Sequence, residues 1–143
     1  MNHLLSLAML LLMLLSQNQN LPREFHQLPE PVREKATVIV TGTYGEGRSP
    51  CIWRPDGSRV WFLESWFQIT KVYRGKVGGK SIYINKSMLP KTKDVSTELE
   101  VGREYLVLLR PTNESRLVLE AGEYVPVWDA LHDEEIIAIV ELE

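Results

Sequence analysis

The chain has 143 residues, a formal charge of −3 and 44% hydrophobic residues, with a single cysteine. That length carries one core and leaves no room for a second. The lone thiol excludes an intrachain disulfide framework, and an acidic total charge weighs against a nucleic-acid partner.

The chain opens on an uncharged run from Leu4 to Leu15, closed by the polar Ser16-Gln17-Asn18-Gln19-Asn20. A bilayer span takes roughly 20 apolar residues, so the run is too short to cross one. It matches the core of a secretory signal, about 7–15 residues long. Residues 1–16 are therefore read as a signal peptide that is removed. The remainder is read as a secreted, extracellular protein with no stable membrane span; an uncleaved anchor is the alternative.

Residues 17–35 read as a flexible lead-in. Residues 17–28 are polar and irregular, and Pro29-Glu30-Pro31 turns into one or two helical turns over residues 32–36, with Pro31 near the start. Thr37-Val38-Ile39-Val40-Thr41 is β-branched and predicts a strand ending at Gly42. Residues 44–58 carry Gly45, Gly47, Pro50, Pro55 and Gly57 and read as a long loop or loose hairpin. Cys51 lies there; a bridge to a second chain and a partly buried, inert thiol are its two readings.

Residues 59–73 form the longest strand candidate. Trp61, Leu63, Phe67 and Ile69 share the buried parity, while Glu64, Gln68 and Thr70 share the other. Its length predicts a bend or bulge near Ser65, or curvature around a barrel. Trp66 falls on the polar parity beside Lys71 and Arg74, the best candidate for an exposed aromatic anchor. Arg74-Gly75-Lys76-Val77-Gly78-Gly79 then turns the chain into a strand at Ser81-Ile82-Tyr83-Ile84. The segment from Gly75 to Ser81 superficially resembles a phosphate-binding loop, but its spacing is wrong and a strand follows, so it reads as a hairpin turn.

Residues 85–100 read as a polar excursion, residues 104–110 as a central apolar strand and residues 116–119 as a fifth strand. Residues 133–141 fit a helix capped by Asp133 or a strand, with the helix preferred. Asn85-Lys86-Ser87 and Asn113-Glu114-Ser115 are glycosylation sequons on a eukaryotic secretory route. Five uneven strands with short flanking helical segments predict a mainly β fold, a small OB-like barrel.

Residues from Phe67 to Lys76, then Ile82-Tyr83-Ile84 and Val101-Gly102-Arg103-Glu104-Tyr105-Leu106-Val107, resemble the netrin-like module. That module is the OB-fold barrel of the tissue inhibitors of metalloproteinases and their secreted relatives. Lys35-Ala36-Thr37-Val38-Ile39-Val40-Thr41-Gly42 is similar to its first strand, so the resemblance implies a barrel domain over residues 36–143. Those inhibitors chelate the protease zinc through an N-terminal cysteine held by disulfides. The first cysteine here is Cys51, so the resemblance does not extend to metalloproteinase inhibition.

Charge is segregated along the chain. Between Ser65 and Lys93 there is no acid, while Lys71, Arg74, Lys76, Lys80, Lys86, Lys91 and Lys93 are cationic; thirteen acids against three arginines follow from Asp94 onward. The leading expectation is a secreted, non-catalytic binding module without a cofactor. It engages an acidic protein or sulfated glycan through Lys71, Arg74, Lys76 and Lys80 with Trp66. The alternative is a secreted hydrolase or metal-binding protein using His132 with Asp129 or Asp133.

Overall fold

The computed structural model describes residues 2–86, 89–111, 116–120, 122–127 and 136–143. Helix α1 (Asn2–Gln19) holds the apolar run, with Leu4, Leu5, Leu7 and Leu10 exposed. Among the described residues, no helix is long and apolar enough to cross a membrane. Two short helices follow, α2 (Arg23–Gln27) and α3 (Glu30–Lys35), the latter with a proline in its first turn where a missing N–H costs nothing.

The strands are β1 (Val38–Trp53), β2 (Arg59–Arg74), β3 (Ser81–Ile84), β4 (Glu104–Leu109), β5 (Arg116–Glu120), β6 (Glu123–Val127) and β7 (Ile136–Glu141). Five of them make one antiparallel sheet in the order β3-β2-β1-β4-β7, and β5 pairs with β6 separately. The expected mainly β fold with short flanking helices is what the chain adopts. The sheet is open, however, with β3 and β7 as its edges, and so is not a closed barrel.

Three element expectations are corrected. The first strand does not stop at Gly42 but runs on to Trp53, pairing with β2 as far as Arg59. The glycines that read as loop residues sit within this long ribbon, whose tip turns through residues 54–58. The fifth strand of the main sheet is the acidic tail, not residues 116–119. Ile136–Glu141 is a strand because β4 offers it a partner, and a register shift opposite Leu108 and Leu109 leaves Ile137 unpaired. Finally, the irregularities of β2 are not near Ser65. Register shifts skip Thr70 and Tyr73 on β2 and Cys51 on β1.

The two faces of the sheet are buried differently. On the inner face Tyr44, Phe67 and Tyr105 are fully buried and form a triangle with ring centroids 5.6–6.3 Å apart. Edge-on and tilted rings at this spacing are favourable beyond their buried area. The polar excursion covers this face by inserting Leu89, Val95 and Leu99, and Val95 bridges to Ile139 on β7.

The outer face is covered at one end only. Leu21, Phe25 and Leu28 pack with Ala36 onto Ile39, Leu106, Leu108 and Ala138. Residues 17–35 are thus not wholly a flexible lead-in, since Leu21, Phe25 and Leu28 belong to the core and Val32 packs against it. Only Phe25 lies within α2; Leu21 precedes its N-cap and Leu28 is its extended C-cap, so the short helix sets Phe25 between two flanking leucines. Arg23 Nη2 donates to Glu143 Oε2 at 2.6 Å, tying this layer to the end of the chain.

Candidate binding surface

Directly opposite residues in an antiparallel pair share a face. Leu106 lies under the helices and pairs with Thr41, so Thr41, Thr43, Gly45 and Gly47 line the outer face of β1. Their partners on β2 follow: Lys71 opposite Thr41, Gln68 opposite Thr43, Trp66 opposite Gly45 and Glu64 opposite Gly47. Tyr83 on β3 completes the row beside Trp66. Among the described residues the apolar cluster of α2 and α3 reaches Ile39 and does not extend to Gly45 or Trp66 on this face.

At its centre the Trp66 indole crosses the backbone of β1. A Cβ placed on Gly45 would stand 2.7 Å from Trp66 Nε1, and one on Gly47 would stand 3.0 Å from Cη2. The five-membered end of the indole therefore rests on one glycine and the six-membered end on the other. At Gly45 only glycine permits so close an approach, and at Gly47 a side chain would crowd the ring, which accounts for these two glycines inside a strand. Tyr83 flanks the indole at 6.5 Å between centroids and is 43% exposed.

The cations are distributed unevenly around this aromatic row. Lys71 is exposed, with Nζ 4.7 Å from the Tyr73 ring centroid, a cation–π contact. Arg74 pairs with Ile39 at the helix-covered end and lines a cleft of about 270 Å³ with Phe25, His26, Glu30, Arg33 and Glu34. Lys76 and Lys80 are exposed in the turn between β2 and β3, where Lys80 O accepts from Ile69 N at 2.9 Å. Trp66, Lys71 and Arg74 thus share the outer face, and Lys76 and Lys80 adjoin it.

The rest of the acid-free run goes elsewhere. Lys86 Nζ lies 3.3 Å from Glu46 Oε1 and 5.5 Å from the Tyr44 ring centroid. Lys86 and Lys91 line an open cleft of about 500 Å³ over Leu89 and Val95. Lys93 borders another cleft beside Glu24, Asp94 and Glu141. The uninterrupted basic run of the sequence is therefore not one patch.

Glu46 joins Tyr44 and Lys86. The Tyr44 hydroxyl donates to Glu46 Oε1 at 2.5 Å, and this bond, aided by Lys86, holds the carboxyl below the usual range. Burial and the same hydrogen bond push the Tyr44 phenol up. A second polar chain stands on the outer face, where Thr41 Oγ1 and Thr70 Oγ1 are 2.9 Å apart and Thr70 Oγ1 donates to Glu104 Oε1 at 3.2 Å.

Asn85 is half-buried directly after β3, while Asn113 lies outside the described residues. Trp128, Asp129, His132 and Asp133, the residues of the alternative reading and its neighbouring tryptophan, also lie outside them. The Cys51 backbone belongs to β1, and its side chain is likewise outside the described set. Gly45 and Gly47 as the seat of Trp66 were not foreseen. Their signal is a Gly-x-Gly repeat facing a tryptophan, legible only once the register is known. No family model, curated protein or solved structure matches the chain.

Proposed function

We propose that the chain is a secreted, non-catalytic binding module whose open outer face takes an acidic protein or a sulfated glycan. The observation that carries this reading is the β1–β2 register. It puts Lys71 and Arg74 on the same face as Trp66, with Lys76 and Lys80 in the adjoining turn. Clustered cations on one face raise the local concentration of anionic partners and strengthen their capture at low ionic strength. Export of the chain is supported by the apolar α1 run, and glycans at Asn85 and Asn113 belong to the same reading. A netrin-like, OB-type module belongs to the same reading and rests on the sequence resemblance over residues 36–143.

The test is retention on a heparin column. Replacing Lys71, Arg74, Lys76 and Lys80 together by Ala should lower the salt concentration needed for elution. Retention equal to that of the unaltered protein would exclude this surface. Mass spectrometry of the secreted product should find a chain starting near Gln17 with hexosamine on Asn85 and Asn113. An unmodified chain that keeps Met1 contradicts export.

A further inference from the structure

We infer that the Trp66 indole, laid along Gly45 and Gly47, is a stacking platform for one pyranose ring of a sulfated glycan. The inference rests on the anionic-ligand reading above and names its ligand class and its point of contact.

The geometry of the indole is the first argument. Here both ends of the indole approach the β1 backbone: a Cβ on Gly45 would overlap the ring, and one on Gly47 would crowd it at 3.0 Å. One π-face is therefore spent on the glycine strip. Trp66 is half-buried, and among the described residues no apolar side chain of α2 or α3 packs in a cluster with it, so the opposite face is the one left for a ligand. Tyr83 walls one side, and the side chains next along the face, Gln68 and Glu64, are exposed and polar.

Chemistry selects the occupant. The face of an aromatic ring carries the negative part of its quadrupole. It attracts the weakly positive C–H face of a sugar ring and disfavours a carboxylate. An acidic peptide thus gains from the lysines but not from the indole. A sulfated saccharide gains from both, because its ring meets Trp66 while its sulfates reach Lys71 and the turn lysines Lys76 and Lys80. Two carboxylates border the platform, Glu64 opposite Gly47 and Glu104 opposite Thr43. They leave the cationic side toward Lys71 and the β2–β3 turn as the direction for the sulfates.

The experiment titrates a heparin octasaccharide into the full secreted chain at several salt concentrations. Trp66→Ala should weaken binding roughly tenfold, the scale of one lost aromatic stacking contact. The salt dependence should stay the same, because no cation is removed. Replacing Lys71, Lys76 and Lys80 by Ala should instead flatten the salt dependence. Gly45→Ala requires no unusual backbone angle, yet its methyl displaces the indole, so it should match the loss seen in Trp66→Ala. Should Trp66→Ala fail to fold, the indole N–H resonance that vanishes in Trp66→Phe decides. It should shift when octasaccharide is added to the unaltered protein.

Binding by Trp66→Ala within twofold of the unaltered protein, or an unmoved indole resonance, overturns the platform. If the lysines still matter in that case, the anionic-ligand reading survives alone; if they do not, both fail. Equal Trp66 dependence for polyglutamate assigns the face to acidic peptide and overturns the saccharide. A Trp66-dependent dimer in the absence of saccharide assigns it to a second copy, with the same consequence.

Discussion

Glu46 shows how one side chain settles the fate of a charge. In the sequence Lys86 belongs to the same acid-free run as Lys71 and Lys80. In the fold it is drawn to the inner edge by a carboxylate forty positions earlier that also receives the Tyr44 hydroxyl. A carboxyl whose pKa lies lower in the folded than in the unfolded chain adds stability above its unfolded pKa. That contribution is lost as pH falls through the folded value. Because Glu46 is shifted down, Glu46→Gln should destabilise the protein at neutral pH. The gap to the unaltered protein should narrow once pH drops below about 4, where an ordinary glutamate takes up its proton. Denaturant titrations at a series of pH values measure this, and a gap independent of pH would contradict it. The Tyr44 shift acts at the other end of the scale. Its contribution is whole below the usual phenol range and fades as pH rises through the higher folded value.

Among the elements, the α2–α3 layer is where composition misleads most. Asn18, Gln19, Asn20 and Gln27 give the segment a polar look, yet Leu21, Phe25 and Leu28 are all buried. Phe25 is 5% exposed and sits in the outer-face cluster with Leu106 and Leu108. Phe25→Ala should therefore cost about 3 kcal/mol, the lower end for truncating a buried phenylalanine. A change in thermal denaturation smaller than that of a surface substitution would show the layer to be dispensable.

Other elements differ in how plainly they were written. Strands β2, β3 and β4 were legible because β-branched and aromatic residues recur there without breakers. Half of β1 was not, since Gly45, Gly47 and Pro50 signal a turn unless the tryptophan opposite is known. The tail was ambiguous because both faces of β7 are apolar: Ile136 and Ile139 face one cluster, Ile137, Ala138 and Val140 the other. Periodicity cannot separate such a strand from a buried helix. The basic residues of the site were visible as a run. Which of them share a face was not, because the skipped residues Thr70 and Tyr73 alter the parity of β2.

Taken as a whole, the molecule is an open five-stranded sheet with unequal cover. Among the described residues, the excursion packs on its inner face, the segment of two short helices packs on one end of its outer face, and the other end of that face carries Trp66, Tyr83 and Lys71. Lys71 is exposed on the face that carries the aromatic row and Lys76 and Lys80 in the β2–β3 turn, whereas Lys86 is matched by Glu46 and Lys91 and Lys93, also exposed, line clefts elsewhere. This outer face is aromatic at its centre, with Lys71 on one side and Glu64 and Glu104 on the others, and it is the surface on which the proposed binding rests. The most direct measurement is amide and indole NMR mapping of the isotope-labelled chain during titration with a sulfated octasaccharide. Binding at the outer face predicts shifts confined to residues 43–47, 64–71 and 76–83. Shifts concentrated in β7 and residues 89–99, with Trp66 and Lys71 unmoved, would contradict it.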